Sequence, residues 1–300
     1  MDIKKWRLFA DIAETGNFTK SGDRLGYSQS GVSHILKSME SEVGFPLFIR
    51  SRKGVSLTVN AKTILPAVRS MLSVYDNLQQ QVQEINGFHK GQIVIGTFTS
   101  ISIHWLPEIL LAFRKAYPGI NIELKEGGSD EIKRWIMEDR VDFGFLSKRN
   151  IADLEWISLC KDPLLALLPK DAPAPEDHIF RMKDLGSEDF IISTHGVDYD
   201  IHYALEDAGV KPNIRFYSND DHAIIAMVGH HLGISVLPGL VLQGSEDQIA
   251  AYPLEPYYER ELGVALKSRE RLSPASVRFL NLTKEILEKD KGQSEKMFTI

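Results

Sequence analysis

Five polar side chains near the N-terminus have types and spacing suited to reading a nucleic acid. Ser30, Ser33, His34 and Lys37 fall on one side of a short amphipathic segment, with Ser41 farther along the same side, and Gln29 stands at its leading end. A solvated helix face usually carries a mixture of Glu and Lys, whereas these are mostly short hydrogen-bonding groups. Gln can pair with adenine through two hydrogen bonds, and Ser can contact bases or phosphates. The pattern therefore indicates a recognition face rather than an ordinary surface.

The element that must hold these side chains is a helix with a complete apolar stripe. Its apolar residues recur at i, i+3, i+4, i+7 and i+11, namely Val32, Ile35, Leu36, Met39 and Val43. That periodicity places them on one face of an α-helix. Ser28 is a suitable N-cap, because its hydroxyl can accept from a free backbone N–H, and Gly44 is a natural stop. The spacing predicts a helix bounded by these two residues.

Two further helices and a hairpin are predicted around this helix. Residues 3–15 form an amphipathic segment that Gly16 ends, and residues 19–25 form a short second one before a tight turn. The order helix, helix, turn, helix is that of a helix-turn-helix DNA reader. Beyond Gly44, two short apolar segments bracket the basic tip Arg50-Ser51-Arg52-Lys53-Gly54. This arrangement predicts a β-wing with three cations.

Length and composition exclude several classes of protein. The chain has 300 residues, 43% hydrophobic and 25% charged, which is typical of a soluble globular protein with two or three domains. No run approaches the roughly 18 apolar residues of a membrane span, and the start lacks the features of a signal peptide. The single cysteine, Cys160, excludes an internal disulfide and a multi-cysteine metal site. We therefore expect a cytoplasmic protein with no membrane association and no cofactor.

Charge is distributed unevenly along the chain. Residues 1–90 carry 12 Lys and Arg against 8 Asp and Glu, whereas residues 91–300 carry 23 against 33. The positive excess therefore lies in the part with the helix-turn-helix pattern. We expect a polyanionic partner for that part.

Residues 17–58, NFTKSGDRLGYSQSGVSHILKSMESEVGFPLFIRSRKGVSLT, closely resemble the winged helix-turn-helix of LysR-type transcriptional regulators. The resemblance includes S-Q-S-x-V-S at the start of the recognition helix and E-x-x-V-G-x-x-L-F-x-R at its exit, and it extends over the whole chain. Gly22 stands where the family usually has Ala, His34 where it has Arg, and Met39 where it has Leu. The resemblance implies a DNA-binding regulator of transcription.

Under this resemblance one helix and the wing contact double-stranded promoter DNA. The candidate DNA-binding residues are Ser28, Gln29, Ser30, Ser33, His34, Lys37, Arg50, Arg52 and Lys53. The helix residues would face the major groove, and the wing cations would lie along the backbone or in the adjacent minor groove. One helix and one wing cannot discriminate a single operator in a genome, so a second copy is needed.

A heptad pattern after the wing supplies a means of dimerisation. Apolar residues at spacings of 4, 3, 4, 3, 4 and 3 are Ile64, Val68, Met71, Tyr75, Leu78, Val82 and Ile85. An unbroken a/d seam of this kind predicts a helix that pairs with a second copy. The alternative is a single amphipathic helix packed on its own domain. Pro66 is expected to kink or end the first turn.

The rest of the chain predicts an α/β domain. Strands alternate with helices over residues 92–147, including one helix over 103–119, and again over 163–238. This alternation implies a largely parallel sheet. The family resemblance implies two subdomains similar to type 2 periplasmic binding proteins, with crossover strands near 163–168 and 262–267 and a ligand cleft between them.

The expected fold class is therefore α+β and α/β. Its parts are a winged helix-turn-helix (1–58), a linker helix (59–90) and an effector-binding domain (91–300), with subdomain I at 91–162 and 267–300 and subdomain II at 163–266.

Polar residues at the carboxyl ends of the predicted strands are candidates for effector binding, because α/β sheets bind ligands there. They are Thr99, Ser100, Ser102, Gly128, Ser129, Leu146, Ser147, Thr194, His195, Ser218, Asn219 and Pro238. Hydroxyls and helix N-termini favour a carboxylate or another small anion. Asp130, Asp198 and Asp220 oppose an anion, and the serines could instead only cap helices.

The histidines and the cysteine allow two alternative functions, metal sensing and redox sensing. His195, Asp198 and His202 fall at i, i+3 and i+7 and could bind a metal, and Cys160 could sense redox state, although a packing role is expected for it. His230 and His231 lie about 100° apart on a helix, so we expect them to be structural.

Two other classes of protein fit the sequence less well. The patterns G-x-S-x-G, P-loop, H-E-x-x-H and G-x-G-x-x-G are missing from the sequence, which argues against an enzyme. A solute-binding protein would leave residues 1–58 without a role.

The favoured function is a LysR-type regulator controlled by a small molecule. The resemblance implies a dimer formed by the linker helix, a tetramer formed by the effector domains, and RNA polymerase as a candidate further partner. Effector binding would shift the population of quaternary states.

Overall fold

The computed structural model describes residues 2–51, 54–87, 89–149, 151, 153–193 and 199–294, with side chains described to residue 289. The chain divides into two compact units, one made chiefly of residues up to 88 and the other of most residues after it.

The N-terminal unit has the predicted order of helices and strands. Its elements are α1 (Ile3–Thr15), α2 (Phe18–Leu25), α3 (Gln29–Val43), β1 (Phe48–Ser51), β2 (Gly54–Leu57) and α4 (Val59–Ile85). Ser28 caps α3 by accepting from the Gly31 N–H at 3.1 Å, and Gly44 ends it in the left-handed region at φ 83°. The sequence-based prediction for this helix and both of its caps is confirmed.

The apolar stripe of α3 packs into the core of this unit. Val32, Leu36 and Met39 are buried, and Leu47 from the turn before β1 lies in the same apolar cluster as Met39. The Glu40 Oε1 atom accepts from the Leu47 N–H at 2.8 Å. The helix therefore fixes the start of the wing through both apolar packing and one charge-assisted hydrogen bond.

The expectation that Pro66 could end the first turn was wrong. The helix α4 begins at Val59, with Thr58 as its N-cap, and runs without interruption through Pro66 to Ile85. Proline removes only one N–H donor from the helix. Leu65 and Val68, on either side of Pro66, are buried in the core and hold the backbone in place.

The C-terminal unit contains ten strands and seven α-helices within the described residues. They are β3 (Gly91–Thr97), α5 (Thr99–His104), α6 (Leu106–Ala116), β4 (Ile120–Glu126), α7 (Ser129–Met137), β5 (Phe143–Ser147), β6 (Glu155–Pro169), β7 (Phe180–Arg181), β8 (Asp189–Ser193), α8 (Tyr199–Asp207), β9 (Asn213–Ser218), α9 (Asp221–Gly229), β10 (Ser235–Pro238), α10 (Gly239–Leu242), β11 (Ile249–Glu255), β12 (Glu259–Leu266) and α11 (Pro274–Ser294).

The sheet is mixed rather than largely parallel, which corrects the prediction. Its order is β4-β3-β5-β12-β6-β11-β7, with β10 also paired to β6, while β8 and β9 form a separate parallel pair. The pairs β3-β4 and β3-β5 are parallel, but β12 is antiparallel to both β5 and β6. Helices do connect successive strands within each half, whereas β12 comes from much later in the chain and enters in the opposite direction.

Strand β6 joins two separate cores. Its first part pairs with β12 up to Pro163, and its second part, from Leu164, pairs with β10 and β11. One apolar core contains Phe113, Phe143 and Phe279, and the other contains Phe190, Ile224 and Leu237. A single strand of 15 residues therefore runs from one half of the unit into the other.

Three further expectations need correction. The single helix predicted over 103–119 is two helices, which meet at Trp105, and Pro107 is the second residue of the helix that follows. The pair His230 and His231 follows α9 rather than lying on it, and His231 Nε2 lies 3.1 Å from Asp171 Oδ1. The strand β11 and the helix α11 were missed. Cys160 on β6 is partly buried and packs against an apolar core.

The helices of the described residues include none that is both long and apolar enough to cross a membrane.

Gly22 is required by close packing between α2 and α3. A Cβ atom at this position would lie 2.9 Å from the Tyr27 carbonyl oxygen and 2.9 Å from Val32 Cγ2. Alanine would gain about 1 kcal/mol of helix propensity, but overpacking costs about 1–3 kcal/mol. We expect Gly22→Ala to lower the free energy of unfolding of the full chain by up to about 2 kcal/mol, measured by urea unfolding.

The matched control is Ser41→Ala, because Ser41 is exposed on the neighbouring helix. It should leave stability almost unchanged. A stability gain in Gly22→Ala would show that the two helices can separate at no cost.

Candidate functional site

The predicted reading face of α3 is exposed along its length. Ser28, Gln29, Ser30, Ser33, His34 and Lys37 are all exposed, while the opposite face is buried. Ser28 Oγ also lies 3.1 Å from Ser30 Oγ, so the first turn presents linked hydroxyl groups. The helix therefore offers a row of hydrogen-bonding side chains to a partner outside this unit.

The wing is fixed to the helices at its base. The Thr58 hydroxyl donates to the Pro46 carbonyl at 2.8 Å, and the Val55 N–H donates to the Gly16 carbonyl at 3.2 Å. The Arg50 guanidinium lies 4.7 Å from the centroid of the Phe18 ring, which orients it by a cation–π contact. The other two wing cations, Arg52 and Lys53, lie outside the described residues.

Lys20 is a candidate DNA contact that the sequence analysis missed. It is exposed in the first turn of α2, two residues after Phe18, on which Arg50 stacks. In a helix-turn-helix, the helix before the recognition helix crosses the DNA backbone. An exposed lysine in the first turn of that helix was the available signal.

The heptad seam of α4 divides into two parts. Ile64 and Val68 pack into the core of their own unit. Farther along, Met71, Leu78, Val82 and Ile85 are exposed, Tyr75 is half-buried, and Val74 adds another exposed apolar side chain. The C-terminal half of the helix therefore keeps an apolar stripe that the described residues of this unit leave largely uncovered.

The predicted cleft residues fall into several groups. Ser100 is buried beside a cation, and the Ser102 and Thr97 hydroxyls share a hydrogen bond of 3.2 Å. Thr99, Gly128, Ser129 and Ser147 are partly exposed, and Asn219 is exposed. Leu146 packs in an apolar core, Pro238 is buried at the end of β10, and Ser218 forms a turn with Asp220. Thr194 and His195 lie outside the described residues, as does Asp198 of the metal alternative.

A buried ion pair lies among these residues and was not predicted. Asp162 on β6 faces Arg260 on β12, with their side chains 7% and 8% exposed. Asp162 Oδ2 accepts from Arg260 Nε at 2.8 Å, and Asp162 Oδ1 accepts from the Leu240 N–H at 2.9 Å. A second guanidinium nitrogen of Arg260 donates to Ser100 Oγ at 3.4 Å. The pair thus connects both crossover strands with α5 and α10.

His104 borders the same region. Its Nε2 atom is buried and has no hydrogen-bond partner among the described residues. Burial lowers the pKa of His104, repulsion from His222 lowers it further, and attraction to Asp162 opposes both. The imidazole is therefore held in its neutral form near pH 7.

Helix α8 is attached to the other half of the unit by polar contacts. The Tyr199 hydroxyl lies 3.2 Å from both carboxylate oxygens of Asp130 at the start of α7. Arg149, after β5, lies 2.9 Å from Asp200 Oδ1 and 3.6 Å from the centroid of the Tyr203 ring. These contacts join the two halves across the carboxyl ends of their strands.

The comparisons with known proteins agree with this geometry. The family described as "Bacterial regulatory helix-turn-helix protein, lysR family" matches residues 3–62, and "LysR substrate binding domain" matches residues 86–288. The chain belongs to the LysR family. The resemblance drawn from residues 17–58 is thereby confirmed, and this LysR-type transcriptional regulator has a DNA-binding helix-turn-helix domain and an effector-binding domain.

One curated relative and two solved structures illustrate the extent of the similarity. The HTH-type transcriptional regulator YvbU of Bacillus subtilis is 30% identical, with 95% of this LysR-type chain and 99% of YvbU covered. Full-length OxyR from Pseudomonas aeruginosa has a TM-score of 0.77 at 19% identity, with coverage of 96% and 94%. CbnR in complex with its target DNA has a TM-score of 0.55 at 18% identity, with coverage of 96% and 100%. These structures confirm the fold class.

Glu261 makes a pH-dependent contribution to the stability of this LysR-type chain. Its carboxylate accepts from Lys148 Nζ and Trp156 Nε1, each at 2.9 Å. The hydrogen bond from Lys148 is the main reason that the pKa of Glu261 falls to about 2. A lowered carboxyl pKa stabilises the fold above the unfolded value near 4.5, and that stability is lost as pH falls toward 2.

We expect Glu261→Gln to lower the free energy of unfolding by about 1–2 kcal/mol at pH 7. The difference from wild type should shrink as pH falls from 5 toward about 2. Thermal unfolding at a series of pH values measures it, with the exposed Glu285→Gln as control. A difference that stays constant with pH would contradict a role for this charge.

Proposed function

We propose that this LysR-type regulator binds operator DNA through the exposed face of α3 and the wing, and that a small molecule bound in the cleft of its C-terminal unit controls this binding. The proposed division is residues 1–58 for DNA binding, 59–90 for dimerisation and 91–300 for effector binding. We propose that the regulator acts in the cytoplasm.

The observation that carries the DNA-binding proposal is the composition of the exposed α3 face. Hydroxyl and amide groups occupy its N-terminal half, which is the part of a recognition helix that reaches base edges. Lys37 and Arg50 add positive charge at its margins, as phosphate contacts require. CbnR, a LysR family regulator with the same fold, supports this mode because it has been crystallised with its target DNA.

The exposed stripe on α4 supports a dimer. Leu78 is 53% exposed and Ile85 is 85% exposed, and both belong to the predicted heptad seam. Apolar side chains repeated at this spacing are stabilised when a second helix covers them. A dimer would place two copies of α3 on successive turns of one face of the DNA.

Ser33→Ala is expected to weaken sequence discrimination, because it removes one hydrogen bond to the base edges. The preference for the operator over unrelated DNA should fall by about tenfold. Lys37→Ala should instead weaken binding to all sequences and reduce the salt slope by about 1. The measurement is fluorescence anisotropy over a salt series, with DNA upstream of the gene for this protein and unrelated DNA of the same length.

The control is Ser41→Ala, which removes an exposed hydroxyl from the far end of the same helix. It should bind DNA like wild type. Equal and weak binding of wild type to every fragment would contradict the proposal.

Leu78→Glu is expected to dissociate the dimer, because it places two carboxylates in an apolar seam. The dimer dissociation constant should rise by at least about 100-fold, corresponding to about 2.7 kcal/mol. Analytical ultracentrifugation measures the assembly state directly. Gln79→Glu adds the same charge at the neighbouring exposed position and should leave the dimer intact. If Leu78→Glu and Gln79→Glu had the same assembly state, the proposal that α4 forms the dimer interface would be wrong.

A further inference from the structure

The buried cation of the cleft is already neutralised within the protein. Arg260 contacts Asp162 through Nε and through a terminal nitrogen, and both N–O distances are 2.8 Å. Because both side chains are nearly inaccessible, water screens the pair only weakly. A ligand that approaches Arg260 therefore meets a pair with no net charge, rather than a free positive charge.

Three other cations near this end of the sheet also have carboxylate partners, but Glu259 and Glu261 alternate with Arg260 along β12, so the pairs with Lys161 and Lys148 lie on the opposite face of the sheet. Lys148 contacts Glu261 at 2.9 Å, Arg149 contacts Asp200 at 2.9 Å, and Lys161 contacts Glu259 at 2.5 Å. Each of these positive charges has a carboxylate within ion-pair distance. At Arg149 an anionic ligand would have to compete with the carboxylate of Asp200.

Carboxylates occupy the N-termini of three nearby helices, whereas α5, which carries Ser100, has neither a side-chain cap nor an acidic residue in its first turn. Asp220 accepts from the His222 and Ala223 N–H groups at the start of α9, at 2.9 and 3.3 Å. Asp162 accepts from Leu240 at the start of α10, and Asp130 with Glu131 lies in the first turn of α7. These are the positions at which a helix dipole would otherwise favour an anion. His104 is held neutral and adds no positive charge.

Uncharged acceptors, in contrast, would find donors here. The remaining terminal nitrogen of Arg260 has no hydrogen-bond partner within the part of the chain that the structure describes. Ser100 Oγ accepts from Arg260, which leaves the hydroxyl proton of Ser100 able to donate. The centroid of the Phe98 ring lies 5.6 Å from the Arg260 guanidinium carbon, so an aromatic ring also borders these donors.

We propose that the cleft selects an uncharged effector, such as an amide or other carbonyl compound, which accepts hydrogen bonds from Arg260 and Ser100, and that Asp162 sets this selectivity by neutralising Arg260. This inference rests on the proposed function and specifies its effector class. A carbonyl gains charge-assisted hydrogen bonds at little desolvation cost. A carboxylate loses its hydration and finds no uncompensated charge in return.

The test compares two probes of the same shape, benzamide and benzoate, by isothermal titration calorimetry on the full-length protein. Wild type should bind benzamide more tightly than benzoate. Asp162→Asn leaves Arg260 unneutralised, so the affinity ratio of benzoate to benzamide should rise by about 10- to 100-fold. The double variant Asp162→Asn/Arg260→Gln should lose this gain, because it removes the charge that attracts benzoate.

If Asp162→Asn is too unstable for calorimetry, thermal unfolding in the presence of each probe provides a second measurement. The missing negative charge should then be supplied by benzoate, which should raise the melting temperature of Asp162→Asn more than benzamide does. Wild type binding benzoate more tightly than benzamide would overturn the proposal. So would an Asp162→Asn protein that neither binds benzoate more tightly than wild type does nor is stabilised by it.

DNA binding by the same preparations separates the two proposals. Failure of wild type to bind its upstream DNA would contradict the proposed function without changing the probe ratio. A normal affinity for DNA with no change of ligand selectivity in Asp162→Asn would contradict this inference alone.

Discussion

The buried pair of Asp162 and Arg260 is the interaction on which the organisation of the C-terminal unit depends. It connects the two crossover strands to α5 on one side and to α10 on the other. Loss of one partner from a buried pair typically costs about 3–5 kcal/mol, because the other charge is left uncompensated. The two halves of the unit therefore share this ion pair. Removing either residue should change the packing between the halves.

The N-terminal unit depends instead on helices that bury only part of their surface within the unit. On α3 the buried face holds Val32, Leu36 and Met39, and the opposite face remains exposed. On α4 the division runs along the helix, since Leu65, Val68 and Leu72 are buried, whereas beyond them Tyr75 is half-buried and Val74, Leu78, Val82 and Ile85 are exposed. Core formation within the chain thus uses only part of the apolar surface that the sequence provides.

Features determined by neighbouring residues could be predicted from the sequence. Ser28, Gly44 and the apolar spacing between them define α3 because capping and periodicity act within a few residues. The mixed sheet and the pair of Asp162 with Arg260 could not be predicted, because strands separated by about 100 residues must come together first. The division at Trp105 was missed because Pro107 at the start of a helix looks like a residue within one. Leu146 was misjudged because strand residues alternate between faces, and its side chain points into a core.

The hydrogen bond from the Leu47 N–H to Glu40 has a consequence for how the protein meets DNA. It joins the last turn of α3 to the first residues of the wing, and the bond from Thr58 to the Pro46 carbonyl closes the other side of the hairpin. The separation between the exposed face of α3 and the base of the wing, the two surfaces proposed to contact DNA, is therefore set before binding. Little conformational entropy has to be lost at this joint when the complex forms.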